Sequence, residues 1–110
     1  MRRSIESAQR KVRQIAITIS ADGTTVTGLD ALQVSVTDTG TGDKLITFNE
    51  AFAAAPHVMV TVGTDESIAR IGTVSASSAQ ILTDDATDGT TAKDAITHVL
   101  IIGSDITDRY

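Results

Sequence analysis

The stretch FNEAFAAAPHVMVTV, residues 48–62, sets both phenylalanines of the chain four residues apart, just ahead of its only proline. Val58, Val60 and Val62 then recur at every second position, with His57, Met59 and Thr61 between them. A period of two is the signature of a half-buried strand. The segment NEAFAAAP is too short for a helix of its own, and Pro56 disfavours helical backbone at Ala55. It reads as a crossover that carries the chain from one sheet to another. Its alanines allow close passage over the end of a sandwich, Phe52 plugs that end, and Pro56 opens the next strand where a missing N–H costs least.

The same period recurs on both sides. Ile15, Ile17 and Ile19 alternate with small or polar residues after Val12, and Ala21-Asp22-Gly23 is a hairpin-type turn. Leu32, Val34 and Val36 alternate again, TDTGTGD (37–43) is a loop by composition, and Leu45–Phe48 is the next strand. Strands are expected near Ile68–Val74 and Gln80–Thr83, followed by a polar loop at 84–95. The last strand, AITHVLIIG (95–103), is nearly continuous in apolar residues and is expected to be central and covered on both faces. Seven or eight short strands separated by turns predict an all-β protein, an antiparallel β-sandwich of jelly-roll type spanning residues 12–110. Ile17, Val34, Phe48, Phe52, Val58, Val60, Leu100 and Ile102 are the expected core.

Residues 1–11 stand apart as a basic arm or short helix. Ile5, Ala8 and Val12 fall at helical spacing behind a possible cap at Ser4, a stripe too thin to hold a helix alone. Through Arg13, five basic residues against Glu6 leave +4, and the remaining four cations against thirteen acids leave −9, within a net −5. Arg2, Arg3, Arg10, Lys11 and Arg13, with Ile5 and Val12, form a partner-docking segment on this reading. The acidic body opposes approach to nucleic acid. No apolar run is long enough to span a bilayer, and the first residues lack a secretory apolar region.

Candidate chemistry is sparse. With no cysteine, thiolate nucleophiles, disulfides and cysteine-based zinc sites are excluded. His57 is expected to face outward and His98 to be a partly buried, satisfied side chain, and no HxH or HExxH spacing joins them. Asp84, Asp88 and Gly89 fit three positions of a calcium loop, but Ala86 and Ala95 occupy two ligand positions, so a solvated acidic loop is the expectation. No G-x-S-x-G, phosphate-binding or dinucleotide-binding motif is present. No cofactor and no enzymatic activity are expected.

GTGDKLITFNEAFAAAPHVMVTV, a polar loop and then DAITHVLIIGSD together resemble a pattern in small β-sandwich structural proteins of tailed bacteriophages, among them head decoration or cement proteins and distal tail-fibre domains. The shared features fall on Gly40, Gly42, Phe48, Phe52, Pro56, Val58, Val60, Val99, Ile101 and Gly103. The strand–Phe–Pro–strand arrangement is also similar to H-type lectin domains. The resemblance covers about residues 12–105. It implies a virion protein, synthesised in the host cytoplasm, whose partners are the major capsid or other virion proteins, and a homo-oligomer with a trimer favoured. A chain of 110 residues without a long stalk suits a shell-bound decoration or minor capsid protein better than a fibre. The alternative is a tail-fibre or tail-tip module that binds a receptor or carbohydrate.

Overall fold

The computed structural model describes residues 12–105 and shows eight strands and one turn of 3-10 helix. They are β1 (Val12–Ile19), β2 (Val26–Thr27), the 3-10 turn Ala31–Gln33, β3 (Val34–Gly40), β4 (Asp43–Phe48), β5 (His57–Val62), β6 (Ser67–Val74), β7 (Ser78–Asp85) and β8 (Thr97–Ser104). Two four-stranded antiparallel sheets form, with strand orders β2-β1-β8-β5 (sheet A) and β3-β4-β7-β6 (sheet B). Their inner faces meet in an aliphatic core of Ile15, Ile17, Ile19, Val34, Ile46, Ala79, Ile81, Val99 and Ile101, closed by Phe48 and Phe52. The expected all-β sandwich is therefore observed.

The crossover reading of 49–56 holds as well. β4 ends in sheet B at Phe48, β5 begins in sheet A at His57, and the intervening residues bridge the end of the sandwich. The bridge is tied to both sheets. The Phe52 amide donates to the Ala76 carbonyl beside β7, and the Ala53 amide donates to the Ser104 carbonyl of β8. Phe52 and Phe48 are each 4% exposed and meet edge to face, with ring centroids 5.0 Å apart. A side chain at Gly103 would place its Cβ 2.5 Å from the Phe52 ring and 2.8 Å from Pro56, so glycine there leaves room for the plug.

Several details depart from the sequence reading. TDTGTGD is not an open loop. β3 runs to Gly40 and β4 starts at Asp43, a tight hairpin with a bulge between Asp38 and Gly40, and Gly42 takes a φ of 67°. Leu32 belongs to the 3-10 turn and is 92% exposed. In β8 the expected phase is inverted: Thr97, Val99 and Ile101 point inward, and Leu100 and Ile102 are only half-buried. The pairing with β1 fixes this, because Ile101 lies opposite Ile15 and Val99 opposite Ile17. β8 is central, between β1 and β5, but only one of its faces is covered by the opposite sheet. Val58 and Val60 are half-buried and pack against the core from the edge strand β5.

Candidate functional site

A recess lies on the outer face of sheet A, a groove of about 530 Å³. Strand alternation builds it. Since Ile15, Ile17 and Ile19 point into the core, Ala16 and Thr18 point out, and the register carries that outer face across the sheet. One row runs Ala16–Leu100–Met59 and the next Thr18–His98–Thr61. The first row makes an apolar floor, with the small Ala16 as its lowest point. The second supplies two hydroxyls and an imidazole, and His98 Nδ1 lies 3.0 Å from Thr18 Oγ1. His98 is exposed, which corrects the expectation of a partly buried side chain; the inverted phase of β8 is the cause. His57 is exposed as expected.

The groove has one raised wall. Gly28, with a φ of 114°, sits so close to β1 that a Cβ would lie 2.9 Å from the Ala16 carbonyl oxygen. This approach brings the following residues over β1, where Asp30 Oδ2 accepts a 2.8 Å bond from the Ala16 amide. Leu29 is thereby held at the rim and is 96% exposed, while Met59 on the opposite side is 50% exposed. Burying an exposed leucine is worth about 1.5–3 kcal/mol, so this rim favours a partner that covers it. Leu29 lies outside every strand, so alternation gave it no place, while Leu32, read there as the start of a strand, falls in the 3-10 turn ahead of β3.

Among the described residues, the charged candidates Arg13, Asp84 and Asp88 are engaged in holding the fold. Arg13 lies on β1, donates to Asp105 at 2.8 Å and to the Ala51 carbonyl at 3.1 Å, and sets its guanidinium 4.0 Å from the Phe52 ring centroid. It is the lid of the aromatic plug, which corrects its assignment to the docking arm. Val12 is 60% exposed at the start of β1, while Arg2, Arg3, Ile5, Arg10 and Lys11 lie outside the described residues. The calcium candidates do not converge. Asp84 is part of β7, buried and paired with Arg70 at 2.9 Å, whereas Asp88 accepts bonds from the Thr90 and Thr91 amides in the following turn.

At the far end of the sandwich Lys44, an inward residue of β4 with a side chain 4% exposed, reaches Asp94 at 3.1 Å and Asp38 at 3.8 Å. The Gly42 amide and then Lys44 hold the Asp94 carboxyl below its ordinary range. Asp22 is lowered to about 2 by bonds from Ser20 and Thr24, and Asp88 to about 2 by bonds from Thr91 and Thr90. Such carboxylates stay ionised near neutral pH and serve as turn clamps, not as proton donors. Among the described residues no three histidine or acidic side chains gather as a metal site, and no helix is long and apolar enough to cross a membrane.

Comparisons with protein-family models, with curated proteins and with solved structures give no match.

Proposed function

We propose that the protein is a non-enzymatic structural component of a bacteriophage particle, a capsid decoration or minor capsid protein that attaches to the shell through its basic arm and the surfaces of its sandwich. The observation that carries a binding role is the contrast between the two kinds of surface. Asp22, Asp84, Asp88, Asp94, Arg13 and Lys44 are committed to internal bonds, whereas Leu29 and Met59 stand open around a neutral groove and Leu32 is exposed outside it. Such a surface offers contact area in place of reactive groups. The word phage rests on the resemblance through Phe48, Phe52, Pro56 and Gly103, residues that act together here as the end plug.

The tail-module alternative draws less support. A sugar site needs a stacking aromatic beside polar groups, and both phenylalanines are buried in the plug. Labelling purified particles with an antibody against this chain tests the proposal. Label distributed over the shell is the expected result. Label confined to the tail tip would favour the alternative, and particles carrying none of the chain would overturn both.

A further inference from the structure

We propose that residues 1–11 of the chain itself close the groove on the outer face of sheet A, with Ile5 set on Leu100 and Met59 and Arg2 paired with Asp30. This goes beyond the particle reading and does not depend on it, because it concerns the isolated chain. The groove offers an apolar surface and a carboxylate side by side. Its floor of Ala16 and Leu100 lies between Leu29, 96% exposed, and Met59, 50% exposed. Ile102, half-buried on the same outer face, continues the apolar strip along β8 toward the start of β1. Asp30 stands in the raised wall, half-buried beside Ala16.

Charge complementarity selects the occupant. The Asp30 carboxylate accepts bonds from the Ala16 amide at 2.8 Å and the Gln33 side-chain amide at 3.1 Å, both neutral donors. The four cations among the described residues are held elsewhere. Arg13 pairs with Asp105, Lys44 with Asp94 and Arg70 with Asp84, while Lys93 donates to the carbonyls of Asp65 and Glu66. All but one of the chain's other cations lie in residues 1–11. That segment holds Arg2, Arg3, Arg10 and Lys11 against Glu6, a net +3, so the rest of the chain carries −5 − 3 = −8. A basic segment is thereby drawn to the body that bears it, and the half-buried carboxylate beside the groove fixes where it settles.

Length and attachment fit as well. The segment joins β1 at Val12, which is 60% exposed and shares the outward phase of Ala16. Ala16 lies four residues further along the strand, about 13 Å away. Eleven residues reach about 36 Å when extended, so a reversal over 9–11 leaves enough chain to cross the groove. Ile5 and Ala8 fall on one face at helical spacing, Ile5 over Leu100 and Met59 and Ala8 over Ile102. Arg2, three residues before Ile5, flanks that face and is carried to Asp30. Arg3, Arg10 and Lys11 turn outward, where a shell would meet them. A tethered segment meets its site at an effective concentration of roughly millimolar order, so it needs far less contact area than a separate partner.

The test is methyl NMR of the full chain, with the rate of Met59 oxidation by hydrogen peroxide followed in parallel by mass spectrometry. The expected result is a set of through-space contacts from the Ile5 methyls to Leu100 and Met59 that does not change on dilution. Deleting residues 1–11, or the single change Ile5→Asp, should speed Met59 oxidation about threefold or more, because the thioether reacts in proportion to its exposure. Asp30→Asn keeps an acceptor for the Ala16 amide and removes the charge. It should speed oxidation at low salt and match the unaltered chain at about 1 M salt, where the pair is screened. Equal oxidation rates in the full, truncated and Ile5→Asp chains would overturn the proposal. So would a rate indifferent to Asp30→Asn at low salt, contacts that form only between separately labelled copies, or contacts that appear only when particles are added.

Discussion

Phe52 shows how much one side chain can organise. Its ring meets Phe48 edge to face, fills the space that Gly103 leaves open, and supports the Arg13 guanidinium. Phe52→Ala should cost about 3–5 kcal/mol in urea unfolding, the range for removing a buried aromatic. A loss under about 1 kcal/mol would mean that the end closes without the ring. Thr97 makes the opposite case. It is 1% exposed, between Ile19 and Val62 in the sheet, and its Oγ1 has no hydrogen-bond partner among the described residues. An unpaired buried hydroxyl is a cost that a methyl group removes. Thr97→Val should therefore stabilise the protein by about 1 kcal/mol, raising the urea midpoint without changing the slope.

At the scale of the elements, legibility followed the contrast between alternating residues. β1 reads clearly because isoleucines alternate with small and polar residues, and β5 because valines alternate with His57, Met59 and Thr61. β8 does not, because Val99 and Ile101 on one phase and Leu100 and Ile102 on the other are all apolar. Only its neighbour β1 decides between them, and that pairing is a long-range fact. The same limit hid the groove, which exists because β8 has an apolar outer face next to Ala16. The Lys44 end was hidden as well. A lysine in an alternating strand reads as solvent-facing, and only the fold brings Asp94 to it across fifty positions of sequence. Asp94→Asn leaves Lys44 buried with its remaining carboxylate at 3.8 Å. With Asp94 itself 41% exposed, the expected cost is about 1–2 kcal/mol in urea unfolding, measured near neutral pH. An unchanged midpoint would show that solvent screens the pair completely.

For the whole molecule, charge is divided between an acidic body and a basic arm, and each half makes its own prediction. In the body, the carboxyls of Asp22, Asp85, Asp88 and Asp94 are all held below the ordinary 3.8. A carboxyl depressed in the folded state contributes stability that is complete above its unfolded value and is lost as pH falls through the folded one. The thermal midpoint should therefore decline as pH drops from about 4 toward 2, and replacing Asp94 by Asn should make that decline shallower. A midpoint independent of pH over this window would remove the turn-clamp account of these residues.

The arm belongs to the same scale, because the partner proposed for it is the particle. With Arg13 committed to the plug, Arg2, Arg3, Arg10 and Lys11 against Glu6 carry a net +3. Deleting residues 1–11 should leave the sandwich folded. β1 begins at Val12, and its ladder to β8, from Val12 opposite Ser104 to Ile19 opposite Thr97, uses none of the deleted residues. If the arm docks the protein onto an acidic shell surface, the truncated chain should decorate particles more weakly. Attachment of the intact chain should then fall with added salt, because charges that meet near solvent are screened over about 10 Å at 0.1 M. Binding to purified particles, measured by co-sedimentation for both chains across a salt series, tests the role of the arm. Equal decoration by both chains at every salt concentration would take the docking role from the arm and leave attachment to the apolar rim of Leu29 and Met59.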